Sequence, residues 1–388
     1  MSSKYLAKQV QDLKPSGIRK FFDLASKMEN VVSLGVGEPD FVTPWNVIEA
    51  SYHSLEQGYT AYTANAGLLE LREAITDYLD EYFSVSYNAE DQVLVTVGAS
   101  QAIDIALRAL LNPGDEVIIV EPCFVAYSSA VILAGGVPVT VSATSDNAFK
   151  VTAEQIEAAV TDKTKAIVLC SPNNPTGAVL NAQELSEISE VLCKHDIIAI
   201  SDEIYAELSY DEKATSLAEV KGMKERTILI SGFSKSFAMT GWRLGYAAGP
   251  TEIIQAMTKI HQYTIMCAPT MAQHGALEAL RNGRDSVNDM TTSYRQRRNF
   301  VVKALNEMGL SCHLPGGAFY VFPSIKATGM TSEEFAEKLL EEEQVAVVPG
   351  NVFGESGEGY IRCSYATSIK QLDEAMKRMS RFVEKHIQ

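Results

Sequence analysis

The chain has 388 residues, more than one hydrophobic core of usual size accommodates, so two domains are expected. Its composition is 46% hydrophobic and 21% charged, as in a water-soluble globular protein, and its net charge is −16. That charge disfavours nucleic acid or an anionic membrane as the main partner, yet leaves room for a local cationic site.

The six cysteines form no C-x-x-C pair and show no zinc-finger spacing, so free thiols and no metal site are expected. The N-terminus lacks the apolar stretch of a signal peptide, and no apolar run approaches the ~18 residues of a membrane span. A reducing, cytoplasmic setting is the expectation.

In chain order, Thr43 before Pro44 predicts a capped helix start. Short apolar runs at 93–97, 116–120, 166–170, 197–201, 227–230 and 245–249 predict strands covered on both faces. Helical segments lie between several of them. Thr152 with Gln155, Asn181 with Glu184 and Thr331 with Glu334 have capping-box spacing. The pattern predicts an α/β domain with a mainly parallel sheet. After about residue 285 the texture changes: a polar helix at 286–308, short strands at 319–323, 345–349 and 360–364, and helices from Thr331 and near Ser368. This predicts a smaller α+β domain. His195 is expected at a helix end, and His261 and His274 as structural or surface groups, with His261 able to approach a site entrance.

Four segments carry possible chemistry. SGFSKSFAMTGWRLG (231–245) follows a buried strand and sets Lys235 among small residues, with Arg243 eight positions on. A lysine that attacks a carbonyl must be neutral, which burial or cationic neighbours favour. Gly232 occupies the place of the serine in a Ser-x-x-Lys nucleophile, and Ser234 that of the glycine in a phosphate-binding Gly-Lys loop. SPNNPTG (171–177) presents Asn174 at a strand's carboxyl end, where α/β sheets bind ligands. Asp202 ends another strand, with Tyr205 three residues later, and a buried acid there needs a partner. TVGASQ (96–101) makes a strand, a glycine turn and a helix start suited to a phosphate. Together they ask for a phosphate, an aromatic nitrogen facing a carboxylate, a phenolic oxygen and an aldehyde. Pyridoxal 5′-phosphate (PLP) has all four.

These segments, with SLGVGEPDF at 33–41 and YIRCSY at 360–365, closely resemble the class I/II PLP-dependent aminotransferases of fold type I. The likeness is greatest to the bacterial branch of aspartate, aromatic amino acid and N-acetyl-diaminopimelate aminotransferases. It implies a seven-stranded, mainly parallel sheet in a large PLP-binding domain at 45–284. It also implies a small domain at 285–388, joined by the N-terminal segment 1–44, and a cytoplasmic homodimer with shared active sites.

The resemblance also implies roles. Lys235 would form the Schiff base with PLP and move the substrate Cα proton. Asp202 would pair with the pyridinium nitrogen, and Tyr205 and Asn174 would bond the phenolic oxygen. Arg243 would hold the phosphate with Ala99, Ser100 and Gln101, and Tyr62 would reach the phosphate of the other subunit. Phe124 would stack on the ring. Arg362 would bind the substrate carboxylate, helped by Asn174 and the Gly37 backbone, because its planar fork matches a carboxylate.

Three departures from the family pattern are visible. Gly232 stands where a serine often binds phosphate, leaving Ser231, Ser234 or a backbone N–H to serve. Phe124 stands where many aspartate-specific relatives have tryptophan, and Ser100 where some have lysine. The expected reaction is ping-pong transfer of an amino group from an aromatic, aspartate or N-acyl-diaminopimelate-type donor to a 2-oxo acid such as 2-oxoglutarate. A C–S β-lyase on the same fold, and a non-catalytic regulator of this fold, are the alternatives. Gly35 and Gly37 lack the third glycine of a dinucleotide fingerprint, which disfavours a dehydrogenase.

Overall fold

The computed structural model describes residues 5–11, 13 and 28–387; much of the segment expected at 1–44 lies outside them. The strands are β1 (Val32–Ser33), β2 (Val93–Thr96), β3 (Glu116–Glu121), β4 (Val137–Ser142), β5 (Thr164–Cys170) and β6 (Ile198–Asp202). They continue with β7 (Thr227–Gly232), β8 (Gly245–Ala248), β9 (Tyr320–Val321), β10 (Val345–Ala346), β11 (Val348–Pro349) and β12 (Ile361–Ser364).

Seven of them form one sheet in the order β2-β8-β7-β6-β5-β3-β4. Only β8 runs against its neighbours, so the sheet is mainly parallel, as expected. The unbroken apolar runs follow from burial on both faces: β2, β7 and β8 are buried at every residue. β4 was not among the predicted strands. It is an edge strand, half exposed, and contains Pro138, which only an edge tolerates without losing a ladder hydrogen bond.

All three capping boxes form, at Thr152, Asn181 and Thr331. The start at Thr43 differs from the prediction. Helix Trp45–Glu56 begins after Pro44 without a side-chain cap, and the Thr43 hydroxyl instead donates to the carbonyl of Ala238. Thr43 thereby ties this helix to the loop that carries Lys235.

A separate apolar cluster gathers Val32 and Leu34 with Tyr294, Phe319, Phe335, Ile361 and Phe382. It is built around a three-stranded antiparallel sheet, β11-β12-β9, and a parallel pair, β1-β10. Leu34 accepts from the amide of Ser364, so the 33–37 segment is pinned beside β12. No helix among the described residues is long and apolar enough to cross a membrane.

Candidate active site

Strand register sets the site. Cys170 lies opposite Asp202, and Asp202 opposite Ile230, so β5 and β6 end at one level and β7 runs two residues further, to Gly232. The loops leaving those ends carry Asn174, Tyr205 and Lys235 into a cavity of about 770 Å³. β12 brings Arg362 to it from the other cluster, and the 35–38 segment closes one wall.

Lys235 is half-buried, and its ammonium donates to the Gly37 carbonyl at 2.6 Å. Burial lowers its pKa to about 8; Glu38 and Asp202 oppose this, while Arg362 and Arg243 add to it. A neutral amine is thus accessible near physiological pH, as a carbonyl-attacking lysine requires. Asp202 is buried, accepting from the Tyr127 hydroxyl at 2.6 Å and from the Ile204 amide at 3.2 Å. Burial raises its pKa, and those two donors and Lys235 pull it back.

Arg362 is 3% exposed. It donates to Asn174 Oδ1 at 2.9 Å and to the Gly35 carbonyl at 2.7 Å, and its plane lies 4.5 Å from the Tyr320 ring centroid and 4.9 Å from that of Phe353. Its Nε has no hydrogen-bond partner among the described residues. A buried guanidinium without a carboxylate is costly unless an anion joins it.

Gly98, at φ 78°, precedes helix Ala99–Leu110. A Cβ on Gly98 would lie 2.7 Å from Arg243 Nη2, so glycine lets the guanidinium approach the free N–H groups of the helix start. Ala99, Ser100 and Ser234 line the cavity, as does Phe124, which stands edge-on to Tyr127. Gly232 has no room for a serine, since a Cβ there would meet the Gly245 Cα at 2.8 Å.

Two expected side chains point elsewhere. The Ser231 hydroxyl points toward the Glu203 carbonyl, because the strand's alternation turns it from the cavity. The Gln101 side chain accepts from the Val97 amide and pairs with His261 Nδ1 behind the helix start. Tyr62 is 77% exposed and does not line the cavity. Gly37 spends its carbonyl on Lys235; Gly35 is the backbone group at Arg362. His261 is fully buried, and His274 stacks on Tyr59. His195 caps its helix C-terminus and bonds Glu157. The cavity residues missed from the sequence include two tyrosines, Tyr127 and Tyr320. Their available signals were weak: Tyr127 lies one helical turn after Phe124, and Tyr320 sits between Phe319 and Val321 in a run buried at every residue.

The family model for aminotransferase class I and II matches residues 29–379. The chain belongs to the class I and II aminotransferases. It is 66% identical over 383 residues to the YugH protein of Bacillus subtilis (strain 168), covering 99% of each chain. It is 49% identical to the aspartate aminotransferase of Pyrococcus abyssi, covering 95% of each. Among solved structures, the aromatic aminotransferase of Pyrococcus horikoshii OT3 is similar with a TM-score of 0.90 at 46% identity, over 95% of this chain and 99% of that one. The fold is therefore that of the fold type I aminotransferases, an enzyme family that works with PLP.

Proposed function

We propose that this aminotransferase uses PLP to move the amino group of an L-amino acid to a 2-oxo acid, 2-oxoglutarate, in ping-pong order. The observation that carries the reading is the convergence of Asn174, Asp202, Lys235, Arg243 and Arg362, drawn from four separate stretches of the chain, on one cavity. The residues fit the cofactor. The Gly98 cradle under Arg243 suits a phosphate, the buried Asp202 carboxylate a ring N–H, and the Tyr205 hydroxyl and Asn174 amide a phenolic oxygen. Ser234 and the amides of Ala99 and Ser100 complete the phosphate site.

When bound, PLP supplies an aldehyde for amines and a protonated ring that withdraws electrons. Asp202 keeps a proton on the ring nitrogen, and Tyr127 and the Ile204 amide hold Asp202 in place. Arg362 grips the substrate carboxylate through its fork. Lys235, its pKa lowered by burial, would take the substrate's Cα proton. The segment at 285–388 closes over the site because Arg362 comes from it.

Phe124, Val36 and Ser100 give the donor side chain an apolar, uncharged wall, which favours an aromatic donor over strict aspartate specificity. Aspartate and N-acyl-diaminopimelate remain in the donor class. A homodimer would cover Val42, Trp45, Tyr62 and Tyr263, each more than 70% exposed in the single chain. Free cysteines suit a reducing cytoplasm.

The test is a donor screen with PLP-loaded protein. Phenylalanine, tyrosine, aspartate and N-acetyl-diaminopimelate are each offered with 2-oxoglutarate, and glutamate is measured. Glutamate formation with phenylalanine or tyrosine is expected. No glutamate from any donor would overturn the reading.

A further inference from the structure

Tyr320 sits where three parts of the site meet. Its hydroxyl lies 2.9 Å from that of Tyr205, and its ring faces the Arg362 guanidinium at 4.5 Å. A Cβ on Gly37 would lie 2.8 Å from the same hydroxyl, so glycine at 37 is what admits it. Tyr320 is 1% exposed and also packs against Phe319 and edge-on to Tyr205. We infer that Tyr320 is a positioning residue that joins the group holding the cofactor's phenolic oxygen, Tyr205, to the group holding the substrate carboxylate, Arg362.

This role for Tyr320 rests on the proposed function and follows from proton counting. Burial keeps both phenols neutral by raising their pKa values, so each has one proton to donate. If Tyr205 donates its proton to the phenolic oxygen, it can only accept from Tyr320. Tyr320 then becomes the donor, and a phenol that accepts one hydrogen bond donates another more strongly. Tyr205 thereby stabilises negative charge on the phenolic oxygen more than it would alone. The same ring presents its face to Arg362, an attraction strengthened by desolvation, and fixes the guanidinium plane that a carboxylate must match. One side chain thus sets both the proton affinity near Lys235 and the carboxylate grip.

The experiment uses PLP-loaded enzyme and two readouts other than turnover: the pH midpoint of the cofactor's visible absorption change, and binding of succinate as an unreactive carboxylate probe. Tyr320→Phe removes only the hydroxyl. The absorbance midpoint should rise by about half to one pH unit, the size of one neutral hydrogen bond, while succinate affinity changes less than about threefold. Tyr320→Leu removes the ring face and should weaken succinate roughly fivefold or more. Tyr205→Phe should raise the midpoint too, and adding Tyr320→Phe to it should then raise it no further. An unmoved midpoint in Tyr320→Phe, with Tyr205→Phe still shifted, would overturn the inference alone. An unmoved midpoint in both would overturn it together with the placement of Tyr205 at the phenolic oxygen. Succinate binding at the parent affinity in Tyr320→Leu would overturn the link to Arg362.

Discussion

The Arg362 guanidinium donates to the Asn174 side-chain oxygen at 2.9 Å, joining β12 to the loop that leaves β5. Both residues are buried, and the Gly35 carbonyl, Tyr320 and Phe353 fix the rest of the fork. Lysine offers a point charge on a flexible stem and cannot fill this slot. Arg362→Lys should lower kcat/KM by roughly 10²-fold or more, the loss expected when a buried charged partner goes missing. PLP affinity should be nearly unchanged. Steady-state kinetics beside a cofactor titration separates the two effects.

Gly98 has a positive φ and touches the Arg243 guanidinium. Alanine there would strain the backbone and push Arg243 off the helix start. Gly98→Ala should weaken PLP binding by about tenfold, a strain of 1–2 kcal/mol, with less effect on the carboxylate site. Titration of apoprotein with PLP measures it, and an unchanged affinity would place the phosphate elsewhere.

Much of this site was legible because its chemistry is punctuated in the sequence. Lys235, Asp202 and Asn174 each end or follow an apolar run, and a polar residue there has few structural uses; Arg362 lies inside β12 and was legible only through the family resemblance. The sheet was legible for the same reason, since strands buried on both faces read as continuous apolar segments. β4 was not, because an edge strand bearing Pro138 looks like a loop. Tyr127 and Tyr320 were not, because a tyrosine inside an apolar stretch reads as core packing. Gln101 was assigned by the resemblance and Ser231 as a stand-in for the serine missing at Gly232, and helix and strand geometry turned their side chains away.

Glu207 gives a pH prediction away from the chemistry. Its buried carboxylate accepts from the Tyr78 hydroxyl, and burial raises its pKa to about 7 from 4.5. Nearby Glu203 is raised to about 7 in the same way. Between those pH values the native state holds protons that the unfolded chain has lost. The stabilising contribution is therefore complete below about pH 4.5 and disappears as pH rises through about 7. Glutamine keeps the acceptor for Tyr78 without the charge. Glu207→Gln should melt a few degrees above the parent at pH 8, with the gap narrowing at pH 5. Thermal melts of apoprotein at both pH values check the sign.

Tyr62 projects to solvent from this chain, at 77% exposure. If it serves the phosphate of a second subunit, lesions should complement across subunits. Hybrids of Lys235→Ala and Tyr62→Ala chains contain one site with both Lys235 and Tyr62 intact. Coexpressed hybrids should regain up to half of parental activity per dimer, above either parent variant alone. Activity no greater than the average of the two homodimers would place Tyr62 outside the shared site.

The claim that Lys235 carries the cofactor is open to direct test. PLP-loaded enzyme is reduced with borohydride, digested and mapped by mass spectrometry. The pyridoxyl label should fall on the peptide containing Lys235, and Lys235→Ala should bind PLP without a reducible linkage and lose nearly all turnover. A label on another lysine, or full activity in Lys235→Ala, would contradict the account.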